Sequence, residues 1–265
     1  MARGPRRALD ILGRVDWRER NGIRCLHARL PRGGDHPDAR AAFTTRGGGV
    51  SRGAFESLNL GLLTGDEPAA VRANRHRAAA AVGLDPGRVV IARQVHGADV
   101  VRHDGPLAEN AFAEPGPHLA EADGHVTEGA GLGTLVFVAD CLPVALAGPN
   151  GVGVIHCGWR GLAAGIVARG VDAVGAHSAA IGPGIGACCY EVGGEVLAAF
   201  ADLGEGIARG RMLDLAEVAR RKLIAAGVER LEAADLCTSC NPELFFSHRR
   251  DDGVTGRQAG LAWRS

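Results

Sequence analysis

Three short apolar runs, LGTLVFVAD (132–140), PVALA (143–147) and GVGVIH (151–156), follow one another with only turn residues between them. Each is too short for an ordinary helix, and turn residues separate them, so they read as consecutive strands. Similar runs are GIRCLHARL (22–30), AAFTT (41–45), RVVIARQVHG (88–97) and SAAIG (178–182). Helix punctuation lies between them. PAAVRANRHRAAAAVG carries Pro68 in its first turn and Gly83 after its last, and LDLAEVARRKLIAAG has Asp214 at the cap with Glu217 three residues on. Further helices are expected over 161–170 and within EVGGEVLAAFADLG. Strands alternating with helices, without repeats or linkers, predict an α/β protein. Residues 1–20 are expected to be a flexible N-terminal arm and residues 21–265 one domain.

Charge excludes several partners. Thirty Lys and Arg balance thirty Asp and Glu for a formal charge of zero, so no basic field exists to hold nucleic acid or an anionic membrane. No apolar run approaches the ~20 residues that span a bilayer. MARGPRRALDILGRVDWRER lacks the apolar stretch of a secretory signal, and seven cysteines, an odd number, point to reduced thiols. A cytoplasmic protein acting on small molecules is expected.

His96, Cys141 and His156 share one property: each falls where an apolar run stops. Loops beyond strand ends form the crevices of α/β proteins, so the three side chains can meet there. Two imidazoles and a thiolate suit Zn²⁺ and leave a fourth position for substrate. Two alternatives stay open: a buried thiol with carbonyl-bonded histidines, or Cys141 as a nucleophile with His156 as its base. Cys237-Thr-Ser-Cys240 lacks a well-spaced second pair, since Cys188-Cys189 are adjacent, and Asn241 and Pro242 follow where a redox motif would open a helix. Neither a zinc ribbon nor a redox site is expected there, and Cys25 and Cys157 read as core thiols. TTRGGGVSRG (44–53) offers glycines for an anion nest beside Arg46 and Arg52, or simply a tight loop. The sole lysine, Lys222, sits mid-helix, which excludes a Walker loop. Gly182-Pro-Gly-Ile-Gly-Ala187 imitates a dinucleotide fingerprint without its βαβ continuation. Arg160, Arg249 and Arg250 stand beside turns where a guanidinium could grip phosphate.

Taken together, FTTRGGGVS, SLNLG, RQVHGADV, ADGHVT, VADCLPV, GVIHCGWRGL, IGPGIGACCYEVGGEV and FFSHRRDDGVTGRQ resemble the YfiH-like family, from about Phe43 to Trp263. That family has been labelled multicopper polyphenol oxidase or laccase-domain protein, and more recently purine nucleoside phosphorylase. The resemblance implies one four-layer α/β/β/α sandwich with mixed sheets and a zinc ion at His96, Cys141 and His156. It implies catalytic roles for Arg46, Asp140 and Arg160 beside the trio, and a pocket lined or supported by Arg46, Asn59, Asp123, Arg160, Tyr190, Glu191 and Arg249. The chain departs from the family pattern at Cys157, where a small residue is common, and at His248, where Tyr is common. Copper is not expected, because the ten histidines form no H-x-H pair. The implied activity is phosphorolysis of adenosine, inosine or methylthioadenosine, with adenosine deamination as a second activity, in a monomer or weak homodimer. The alternatives are a cysteine amidase acting on a peptidoglycan precursor and a non-enzymatic metal-binding domain.

Overall fold

The computed structural model describes residues 15–107, 111–113 and 119–265. In chain order it begins with β1 (Asp16–Arg20), β2 (Ile23–Leu30), β3 (Ala39–Thr44), α1 (Pro68–Val82), β4 (Val89–Val90), β5 (Val100–His103) and β6 (Gly124–Thr127). β7 (Gly133–Val138), β8 (Leu142–Gly148), β9 (Gly151–Cys157), α2 (Trp159–Ala163), α3 (Ile166–Val174) and β10 (Ser178–Ile181) follow. The remainder is α4 (Gly194–Ala198), the small pair β11 (Ala208–Arg209) and β12 (Met212–Leu213), α5 (Leu215–Ala225), β13 (Arg230–Ala233) and β14 (Gln258–Arg264).

Two six-stranded mixed sheets carry the fold, ordered β1-β2-β3-β14-β7-β4 and β13-β10-β8-β9-β6-β5. Strand alternation sorts the apolar residues into three layers of core. Leu26, Leu30, Ala41 and Phe43 of the first sheet meet Ala145, Ala147, Val152 and Val154 of the second. The outer face of the first sheet, with Ile23, Leu135 and Leu261, is covered by Ala78 and Ala79 of α1. That of the second, with Val144, Leu146 and Ile155, is covered by α3 and α5 through Ile166, Val171, Val218 and Leu223. This is the four-layer α/β/β/α sandwich the resemblance implies. Among the described residues no helix is long and apolar enough to cross a membrane.

The sheets approach closely where side chains are absent. A Cβ on Gly260 of β14 would lie 2.4 Å from Pro143 Cβ of β8. Gly260→Ala is therefore expected to lower unfolding stability by about 3 kcal/mol, read as a lower denaturant midpoint. An unchanged midpoint would show that the sheets can part there without cost.

Sequence expectations fail where the signal is weak. Part of the flexible arm expected over residues 1–20 is ordered: Asp16–Arg20 pairs with β2 from Asp16↔His27 to Arg20↔Ile23. Asn21 and Gly22, at φ 55° and 74°, make the tight hairpin turn that Asn-Gly favours. All five β1 residues are exposed, so no apolar pattern marked them. Residues 1–14 of that arm lie outside the described residues. The helix expected over 161–170 is broken at Gly165, φ +90°, into α2 and α3. EVGGEVLAAFADLG forms α4 and then a single 3-10 turn, Ala201–Leu203, the two separated at Phe200, which is outside helical geometry and buried in the core.

Candidate active site

The β4–β5 and β7–β8 connections both carry the chain from the first sheet to the second. His96 lies on one and Asp140-Cys141 on the other. In the β8–β9 hairpin Leu142 pairs with Cys157 and Pro143 with His156, so Cys141, just ahead of β8, rises beside His156. Both project on the inter-sheet side of their strands, Cys141 packing on the core between the sheets, whereas Cys157 packs on the helix side. The donor atoms of His96, Cys141 and His156 all lie within 4.8 Å of one another, and the two imidazole rings meet edge to face at 4.9 Å. The convergence expected from the run ends is thus present.

Asp123, the residue before β6, organises the trio. Its fully buried carboxylate accepts Nδ1–H of His156 at 2.7 Å, which turns the other ring nitrogen toward Cys141. The same carboxylate accepts three successive backbone N–H groups, of Val95 (3.1 Å), His96 (3.0 Å) and Gly97 (2.7 Å). These form a backbone nest around the anion, which fixes His96 at φ +60°. Burial opposes the charge on Asp123, but the His156 hydrogen bond and the nest outweigh it and hold the carboxyl below its usual range. Burial likewise opposes the Cys141 thiolate, yet His156 and His96 draw its pKa down, while the thiolate and Asp123 hold His156 above its ordinary value. The array favours a thiolate ligand.

Two glycines of GWRGL leave room for the trio. A Cβ at Gly158 would lie 3.0 Å from Cys141 Sγ and 3.2 Å from His96 Cδ2, and one at Gly161 would lie 2.8 Å from Gly97 O.

Around the trio the predicted residues divide. Tyr190 lies in the field of Cys141, Arg249, Arg160 and Asp140; burial and the Cys141 charge push its phenol up to about 12. The Arg249 guanidinium lies 5.3 Å from the Tyr190 ring and donates to the Glu191 carbonyl, while Arg160 rests on Trp159. Asp140 accepts Thr238 Oγ1–H at 2.6 Å and Arg249 N–H at 2.7 Å, so both its oxygens brace loops at the rim. Asn59, fully buried, accepts the N–H of Gly61 and Arg257 and donates to Thr64 and Asp66; it shapes a loop. Arg46 donates to the carbonyls of Glu56 and Pro242 over the Phe246 ring, away from the trio's hydrogen bonds. Glu191 faces Arg211 at 3.5 Å. Arg250 does not face the site, being committed to Asp251 and to the Thr238 and Phe245 carbonyls.

The glycine loops prove to be packing devices. The N–H groups of Gly49, Val50 and Ser51 go to Ser57 and Asn74, and a Cβ at Gly49 would lie 2.1 Å from Ser57 O, so TTRGGGVSRG is a tight loop. Gly182 makes way for the Phe43 ring and Gly184 for Leu142. Sequence reasoning missed Arg257, whose guanidinium is buried enough to depress its pKa while the charges of Cys141 and Asp140 pull it back. The GRQ motif was its only sequence signal.

The donor set fits a single zinc-type ion. Tetrahedral Zn²⁺ with Zn–S near 2.3 Å and Zn–N near 2.0–2.1 Å sets donor separations of about 3.4–3.6 Å, within reach of three atoms already inside 4.8 Å. A blue-copper centre would share the same two imidazoles and thiolate.

Residues 40–265 match the family described as multi-copper polyphenol oxidoreductase laccase. The chain belongs to this family. Its YfiH-like relatives include a purine nucleoside phosphorylase of Streptomyces griseus, 41% identical over 85% of this chain and 94% of the relative. Purine nucleoside phosphorylase YfiH of Escherichia coli is 38% identical over 84% of this chain and 93% of its own. Among solved structures, YfiH of Bacillus licheniformis superposes with a TM-score of 0.78 at 34% identity, covering 86% of this chain and 93% of that one. YlmD of Geobacillus stearothermophilus gives 0.77 at 36% identity, covering 85% and 92%. The YfiH-like sandwich thus brings His96 and Cys141, on its two cross-over loops, against His156 near the end of β9.

Proposed function

We propose that this protein is a zinc-dependent purine nucleoside phosphorylase, converting adenosine, inosine or methylthioadenosine and phosphate to free base and the sugar 1-phosphate, with adenosine deamination as a second activity. The observation that carries the proposal is the trio of donor atoms within 4.8 Å, beside Tyr190, Arg249 and Arg160. Relatives named purine nucleoside phosphorylase support it. Nucleoside and phosphate are the partners, taken up by a monomer or weak homodimer in the cytoplasm.

In the reaction a phosphate oxygen bonds to C1′ as the C1′–N9 bond breaks, the electron pair leaving with a purine that takes up a proton. His96, Cys141 and His156 would hold the zinc ion, which would supply Lewis acidity at the site. Arg160 and Arg249 hold the phosphate through charge-assisted hydrogen bonds. Tyr190, kept protonated at neutral pH, offers a hydrogen bond to the departing base. Asp123 keeps His156 in one tautomer and His96 in one backbone conformation.

Incubation of inosine with phosphate and pure protein is expected to release ribose 1-phosphate. His96→Ala and Cys141→Ala are expected to lose the zinc of this trio and, with it, that release. Full turnover by metal-stripped protein would sink the zinc role. Ammonia release from adenosine reads the second activity.

One observation favours a second reading. Asp123, His156 and Cys141 are joined in series, as in a cysteine hydrolase, here acting on a cell-wall precursor. Such a triad gives His96 no task, whereas a metal centre uses it. Chelator-resistant amidase activity lost on alkylation of Cys141 would decide for the hydrolase.

A further inference from the structure

We propose that Cys188, Cys189, Cys237 and Cys240 form a second metal site, closed and structural, holding one Zn²⁺ by four thiolates. The sequence argued against it, because adjacent Cys188 and Cys189 make a poor zinc knuckle. The fold overturns that objection: the four sulfur atoms all lie within 4.8 Å of one another, with Cys240 Sγ 3.4 Å from the sulfurs of both Cys188 and Cys189.

The dimensions suit a single tetrahedral ion. A tetrahedron of Zn–S bonds near 2.3 Å has S···S edges of about 3.8 Å, within the 4.8 Å that spans the four sulfurs. Iron–sulfur clusters divide their thiolates among several irons and need a wider cage. All four cysteines are free rather than bridged.

The backbone is shaped for the purpose. The N–H groups of Cys189 and Tyr190 both donate to Gly186 O, curling residues 186–190 so that the adjacent thiols face the Cys237–Cys240 turn. Gly186 N–H donates to Cys237 Sγ at 3.2 Å, the second contact that orients a metal-binding thiolate. A Cβ on Gly186 would lie 3.2 Å from Cys237 Cβ and 3.3 Å from Cys188 Sγ, so a side chain there would crowd the cradle. Gly184 pairs with Cys237, and Thr238 N–H donates to Gly184 O, closing the two loops together. Cys188 also lines a cleft of about 490 Å³ with Ala187, Ile207 and Met212.

The ion would tie together loops whose cysteines stand 52 positions apart. Those loops carry rim residues: Tyr190 follows Cys189, and Thr238, between Cys237 and Cys240, donates to Asp140. With all four vertices filled by protein, the site stabilises and does no chemistry. It is independent of the metal assigned to His96, Cys141 and His156.

Native mass spectrometry and zinc-edge X-ray absorption test the proposal on wild type, a His96→Ala/Cys141→Ala variant and a Cys237→Ser/Cys240→Ser variant. The first variant is expected to retain one zinc in an all-sulfur shell near 2.3 Å. The second is expected to hold one zinc fewer than wild type and to melt several degrees lower. If His96→Ala/Cys141→Ala binds no zinc, shows nitrogen or oxygen around it, or carries a disulfide among these cysteines, the proposal falls. Should the serine variant not fold, the first variant alone decides. If wild type holds one zinc that His96→Ala/Cys141→Ala does not remove, the trio's metal fails while this site stands.

Discussion

Asp123→Asn is expected to weaken metal binding by about 10–100-fold and to lower kcat/KM by at least as much, with the fold intact. The reason is a mismatch of donors. Oδ1 accepts from His156 Nδ1 and His96 N, and Oδ2 from Val95 N and Gly97 N. An asparagine amide has one oxygen and one NH₂, so whichever way it turns, two N–H groups face a donor. Each unsatisfied group costs about 1–3 kcal/mol, enough to release the His96 turn from its left-handed conformation. Zinc titration and phosphorolysis rates measure the effect, with circular dichroism as the check on folding. If affinity and rate both stay at the wild-type level, Asp123 does not organise the trio.

Gly158→Val is expected to abolish zinc retention at the His96, Cys141 and His156 trio and bring turnover close to background without touching any ligand. The new side chain would enter between Cys141 Sγ and His96 Cδ2, 3.0 and 3.2 Å from its Cβ. These atoms belong to separate loops, so the strain is relieved by spreading them, and zinc tolerates little departure from its bond lengths. Gly194→Ala is the control, since nothing lies within 4 Å of its Cβ position. Turnover is measured for both. A Gly158→Val protein that kept full activity would mean that the loops flex more than the metal needs.

Legibility followed how local each signal was. The runs at 132–156 became β7, β8 and β9 within a residue or two because strands buried on both faces announce themselves through apolar content. α1 and α5 were legible through their punctuation; Asp214 accepts from Glu217 N at 2.9 Å as a cap should. β14 was not. Its sequence QAGLAWR is poor in β-branched residues because Gly260 must lie under Pro143, a demand set by the opposite sheet. His96, Cys141 and His156 could be picked out at run ends, but Asp123 was reached only through family resemblance, since nothing local marks a carboxylate that binds a turn 27 positions earlier. The four-cysteine cradle was misjudged because spacing rules describe a ligand pair on one knuckle, whereas Cys188 and Cys189 converge through the turn at Gly186.

The pairing of β8 with β9 encloses only Pro149 and Asn150, from Gly148↔Gly151 back to Leu142↔Cys157. Because neighbouring positions on a strand face opposite ways, gaining or losing a single residue in β9 ahead of His156 would exchange it with a neighbour and turn the imidazole toward the helices. Descendants of this gene can trade one aliphatic for another along the hairpin at modest cost. What lineages cannot alter is its count, and insertions or deletions should be purged from these sixteen positions, 141–156, more strictly than any change of letter.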